Sequence, residues 1–171
     1  MRILKLICVA SLAAIAFTAA PAAAATPAVQ ADGKALILVP LTLTKIQDLD
    51  FGAIVPSAVS GAVVINATTG NRTMIGGVTG VPSDAGFRAR FAGAGSPSQQ
   101  VIITMNPPAQ LDDGSGNTID VLGLTMDGPA IRTIDPVTRA FFLGVGGTIM
   151  INPNQVAGIY TGQFDVTANY Q

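Results

Sequence analysis

The clearest pattern in the chain lies near its end. Over residues 158–171, Tyr160, Gly162, Phe164, Val166, Ala168 and Tyr170 alternate with Thr161, Gln163, Asp165, Thr167 and Asn169. A period of two puts each set on its own face of an extended strand, so the pattern predicts a strand with one apolar face, at or near a sheet edge. Residues 35–44 predict a first strand. Ala35, Ile37, Val39, Leu41 and Leu43 share one face, while Leu36 and Leu38 give way to Pro40, Thr42 and Thr44 on the other. The first half of that strand is apolar on both faces and needs cover on both sides, or a partner. Shorter strands are predicted at 62–66, 72–75, 86–92, 99–105, 119–126 and 148–151. The clusters Pro82-Ser83-Asp84, Gly93 to Pro97, Asp112 to Asn117 and Asp135-Pro136 read as turns. In residues 86–92, Phe87, Ala89 and Phe91 alternate with Arg88 and Arg90, a strand with one wet face. No window beyond the N-terminal segment shows a capped helical period. Many short strands at even spacing imply an all-β protein, an antiparallel β-sandwich of immunoglobulin-like type.

The N-terminus follows another pattern. Arg2 and Lys5 precede an apolar run from Leu6 to Phe17, and Ala23 and Ala25 form a small-x-small site before Thr26. This reads as a cleaved signal peptide over residues 1–25, a run too short to serve as a comfortable membrane span. Residues 26–34 then form a small, polar, flexible arm, and residues 35–171 a single sandwich domain. The expected location is outside the cytoplasm, in the periplasm or at the cell surface. No later segment is apolar and long enough for a membrane-spanning helix.

Composition narrows the chemistry. The chain of 171 residues has no histidine or tryptophan, one cysteine, and 10 acidic groups, all aspartate, against 9 basic ones. Cys8 lies within the leader, so the exported part relies on its core rather than on disulfides. Histidine-based triads and His/Cys zinc centres are excluded outright. Scattered charge of mildly acidic balance gives no footprint for nucleic acid.

The segment GIYTGQFDVTANYQ, with Tyr170 next to last, resembles the terminal motif of pilin subunits assembled by the chaperone–usher pathway. The stretch Asp48-Leu49-Asp50-Phe51-Gly52, followed by Ala53-Ile54-Val55-Pro56, resembles the spore-coat-protein-U-like branch of those pilins. That branch usually carries a cysteine pair, which the exported part of this chain lacks. PLTLTK, DLDFG and G-x-Y-x-G-x-F-x-V-T, in that order, are also similar to an uncharacterised, DUF-type family of secreted bacterial proteins. The resemblance implies a sandwich missing one strand and completed by an extended segment of a neighbouring subunit. The donor would be the stretch from about Ala28 to Val39, with Ala35, Ile37 and Val39 as plugs. Gly158, Tyr160, Phe164, Val166 and Tyr170 would belong to the receiving strand. The implied partners are like subunits and a periplasmic chaperone and usher, with no cofactor.

Other motifs are weaker. Asp48 and Asp50, on one face of a strand, would offer a cation two carboxylates, and Asp112, Asp113 and Asn117 could hold calcium. A polar strand edge beside Lys45 and a glycine-rich hairpin turn explain the same letters. Gly144-Val145-Gly146-Gly147 lacks the lysine and helix of a phosphate loop and is expected to be a loop or bulge before 148–151. Asn66-Ala67-Thr68 and Asn71-Arg72-Thr73 match glycosylation sequons but read as turns. Paired aspartates without aromatic platforms do not make a glycosidase, and Lys34 and Lys45 stand in no nucleophile motif. The chain therefore reads as a non-enzymatic structural or adhesive subunit. The alternative is a self-complete sandwich that binds a small ligand or a protein partner, with metal-dependent binding as a third reading.

Overall fold

A computed structural model describes residues 28–171; the expected signal peptide, residues 1–25, lies outside them. Two units are distinguished, residues 1–35 and 36–171, and all the described strands belong to the second. It is built from β1 (Thr42–Gln47), β2 (Ile54–Ile65), β3 (Arg72–Gly80), β4 (Ala89–Ala94), β5 (Gln100–Asn106), β6 (Gln110–Asp112), β7 (Thr118–Met126), β8 (Ile131–Thr133), β9 (Ala140–Ile151) and β10 (Asp165–Tyr170). Among the described residues there is no helix. A seven-stranded sheet holds β1, β2, β3, β4, β6, β7 and β9, and a three-stranded sheet has the order β10-β5-β8, every pairing being antiparallel.

β9 is the axis of the larger sheet. Val145 is paired with both Ala89 and Met126, so β4 and β7 lie on its opposite edges. Gly147 is paired with both Ile65 and Leu124, so β2 continues the edge that β4 begins. Its alternate residues Phe141, Leu143, Val145, Ile149 and Ile151 are all buried and line one face. The first three join Ala89 and Phe91 of β4 and Val101 and Ile103 of β5 in one core cluster, which holds the two sheets together as a sandwich. Ile149 and Ile151 belong to a second cluster with Val63, Val78 and Ile119.

The order β1-β4-β9-β7 in one sheet and β5-β10 in the other reproduces the A-B-E-D and C-F placement of immunoglobulin-like sandwiches. The β2–β3 hairpin is an addition between the first two of these strands. Among the described residues, no strand occupies the G place, beside β10.

Three sequence expectations change. Gly144-Val145-Gly146-Gly147 is not a loop: all four residues are buried inside β9. Glycine is required there because three strands converge. A Cβ on Gly144 would lie 2.6 Å from the carbonyl oxygen of Ala67, and one on Gly146 would run into that of Ile65. The first strand spans Thr42–Gln47 rather than 35–44, because residues 36–41 pair with no strand among the described residues and Pro40 has no N–H to contribute to a ladder. The last strand spans Asp165–Tyr170 rather than 158–171. Upstream of it, Thr161 exchanges two backbone hydrogen bonds with Asp112, both 2.9 Å, as an isolated bridge.

The DLDFG stretch forms a structural knot. Asp50 and Phe87 exchange backbone hydrogen bonds of 2.9 and 2.8 Å, and the Gly52 N–H donates to Asp50 Oδ1 at 2.7 Å. Gly52 has φ 68°, and a Cβ there would collide with the Asp84 carbonyl and lie 2.6 Å from Arg72 Nη1. The Arg72 guanidinium fills that space, donating to the carbonyl oxygens of Phe51, Ala53, Asp84 and Val81 at 2.9–3.0 Å. A charged donor satisfied by four carbonyls ties two loops to the start of β3.

Candidate strand-pairing site

Among the described residues β10 has one neighbouring strand. Val166, Ala168 and Tyr170 stand opposite Met105, Ile103 and Val101 of β5, and no described strand meets its other edge. The effect on burial is plain. Val101 and Ile103, on a strand flanked on both sides, are 0% and 2% exposed, whereas Val166, Ala168 and Tyr170 are only half-buried. Across the sandwich, β1 is the edge strand of the larger sheet, and Leu41 and Leu43 are half-buried as well. All of these pack against the first core cluster, as does Phe164, whose ring meets Phe91 edge-on at 6.3 Å. Two unpaired edges thus border one incompletely covered apolar core.

The chain enters this region through a ring of three hydrogen bonds. The Val39 N–H donates to Ser96 Oγ, the Ser96 N–H donates to the Tyr170 hydroxyl, and that hydroxyl donates to the Val39 carbonyl, each at 2.7 Å. Ser96 is itself buried. Gly95 makes room for the ring, since a Cβ there would strike the Tyr170 hydroxyl and lie 2.9 Å from Leu41. Preceding this clamp, Leu36 and Ile37 are 68% and 93% exposed and belong to no strand.

The eight residues expected to mediate strand pairing therefore divide. Phe164, Val166 and Tyr170 line the incompletely covered core. Val39 is the root of the arm, with both backbone groups engaged in its own domain, so it is no plug. Ala35 and Ile37 are exposed. Gly158 and Tyr160 lie elsewhere, in the loop over the second cluster, where the Tyr160 hydroxyl donates to the Val156 carbonyl at 2.7 Å and accepts from Gln155 Nε2 at 2.9 Å. The alternation from Tyr160 to Tyr170 is continuous in sequence but serves two clusters, with the break near Gly162, where a Cβ would lie 2.7 Å from Leu111. Ser96 was hidden inside a turn cluster. Its only sequence signal is a hydroxyl among glycines, which a turn explains equally well.

Beneath that loop lies a cavity of about 530 Å³ between Phe51, Ile54, Ile119, Ile149, Ile151 and Tyr160. The loop carrying Val156 to Tyr160 lies along one side of this cavity.

The aspartates are occupied structurally. Asp48 pairs with Lys45 Nζ at 2.6 Å on the surface, outside any strand, and Asp50 caps Gly52, so the two carboxylates share no face. Asp112 accepts from the Gly114 N–H, and Asp113 accepts from Ser115, Asn117 and the Asn117 side chain. The Asn117 side-chain amide, then the Ser115 N–H, hold the Asp113 carboxyl below the usual carboxylate range. Asp135 is lowered likewise by the Thr138 and Val137 N–H groups and the Thr138 hydroxyl. Asn66, first of a sequon, accepts from the Thr68 and Thr69 N–H groups at 2.8 Å in the β2–β3 turn. Among the described residues, no group of three or more His, Cys, Asp or Glu side chains is placed to hold a metal ion, and no helix is long and apolar enough to cross a membrane.

The family model described as a domain of unknown function (DUF4402) matches residues 41–170, and the chain belongs to that family. No curated protein and no solved structure matches it.

Proposed function

We propose that this DUF4402 protein is an exported, non-enzymatic structural subunit of pilin-like kind, completed by the N-terminal arm of another copy lying along β10. The observation that carries this reading is the vacant edge of β10 in a chain whose Leu36 and Ile37 are exposed. The lengths agree. Residues 28–38, extended, reach about 36 Å, against about 20 Å for β10. Val29, Ala31, Ala35 and Ile37 recur at alternate positions, with Gly33 between them. Backbone pairing would give affinity, and those side chains entering the uncovered core would give register. A periplasmic chaperone of the kind implied by the pilin resemblance would protect the same edge before assembly.

The test is deletion of residues 28–38 from the exported protein. The shortened chain is expected to stay folded and monomeric, while the full protein forms concentration-dependent multimers in sedimentation velocity. Equal multimerisation of both would overturn the proposal. The cavity of about 530 Å³ supports a second reading, a small-ligand site in a self-complete domain, because its size falls within the range of such sites.

A further inference from the structure

An arm attached beside its own vacant edge has an effective concentration for that edge that a second molecule rarely matches. Yet Leu36 and Ile37 remain exposed. The ring of hydrogen bonds among Val39, Ser96 and Tyr170 supplies a reason, one that rests on reading β10 as a site of strand exchange. Both backbone groups of Val39 are committed to the ring. Pro40 comes next, fixing its own φ and confining Val39 to extended conformations. The point at which the arm leaves the domain is therefore a stiff elbow.

That elbow also sets polarity. Tyr170 is the last residue of β10, so the C-terminal end of the arm is held beside the C-terminal end of the strand it would complete. Tethered this way, the residues next to the elbow, Ile37 and Ala35 among them, can lie along their own β10 only in the same direction. Every other pairing in both sheets is antiparallel, and parallel pairing is slightly weaker per residue. An antiparallel fit within the chain would spend about five residues, Ile37 and Ala35 among them, on the roughly 17 Å from the elbow back to Asp165, leaving only residues 28–33 to pair. A second copy's arm carries no such tether.

We propose that the Val39–Ser96–Tyr170 clamp, with Pro40, keeps Ala35 and Ile37 from pairing antiparallel with their own β10 and so favours the arm of a second copy at that edge. Ser96 and Tyr170 are positioning residues in this scheme. The experiment compares exported wild-type protein, Tyr170→Phe, Ser96→Ala and the deletion of residues 28–38 by sedimentation velocity and by hydrogen exchange at the β10 amides. Tyr170→Phe is expected to lower the multimer population about tenfold while keeping the β10 amides protected, because the released arm covers its own edge. The deletion is expected to be monomeric with fast exchange there. Ser96→Ala removes the acceptor for the Val39 N–H without altering β10. It should repeat the Tyr170→Phe result, and it keeps the test decisive if Tyr170→Phe does not fold. Clamp variants that assemble like wild type would overturn the clamp and leave strand exchange standing. A wild-type protein that is monomeric, with β10 exchange matching the deletion, would overturn strand exchange itself.

Discussion

β9 and β10 both turn alternate residues toward one core cluster and have opposite surroundings. Val145 of β9 has strands on both edges and is 0% exposed, while Val166 of β10, the same side chain facing the same core cluster, is only half-buried. Hydrophobicity does not separate them; the number of neighbouring strands does. Apolar burial stabilises in proportion to the area removed from water, so β9 realises most of its stabilisation within the chain and β10 leaves a share unrealised. That unrealised share is what a partner strand would collect.

The harshest test of the contrast is at the centre. Gly146→Val would drive a branched side chain into the carbonyl of Ile65, with the Ala67 nitrogen 2.6 Å from its Cβ, where backbone cannot give way. It should destabilise by more than about 3 kcal/mol and leave little soluble protein, read as soluble yield and as melting temperature. A well-folded Gly146→Val protein would mean that β9 is not hemmed in on both edges.

A pair of truncations sharpens the comparison within the small sheet. Ile103→Ala, on the strand with two neighbours, should cost about 2–5 kcal/mol in urea unfolding. Val166→Ala, on the strand with one, should cost about 1 kcal/mol in the monomer, since two methyl groups are removed from a half-covered site. Equal losses would mean that β10 is as enclosed as β5. Measured on multimers, Val166→Ala should weaken association more than it weakens the fold.

The smallest effect concerns acid. Asp113 and Asp135 are held below the ordinary carboxylate range by turn hydrogen bonds, Asp113 half-buried and Asp135 exposed. A folded pKa below the unfolded one gives stability that is present above the ordinary range and lost as pH falls through it to the lowered values. Amides of the β6–β7 and β8–β9 turns should therefore lose exchange protection in acid before those of β9. Turn amides indifferent to pH would show that these carboxylates do not hold the turns.

Much of the architecture was legible residue by residue. Alternation located parts of β2, β3, β4, β5, β7 and β10, and their short, even spacing implied an antiparallel sandwich. The miss at Gly144 to Gly147 has a definite cause: glycine marks a loop when it supplies freedom and a strand when it supplies room, and one sequence does not distinguish the two. The candidate site was half visible. Phe164, Val166 and Tyr170 follow from the period of two, but the role of Ser96 depends on a contact with Val39 across 57 positions of chain, and that of the Tyr170 hydroxyl on one across 131.

By itself the sequence determined the all-β class, the apolar face of the last strand and the alternating arm, because side-chain periodicity is a local property of the backbone. Only the tertiary structure decided which strands have two neighbours, where the arm is clamped and which side of β10 stands vacant. Strand pairing joins residues far apart in the chain, and no local pattern records which edges find a neighbour.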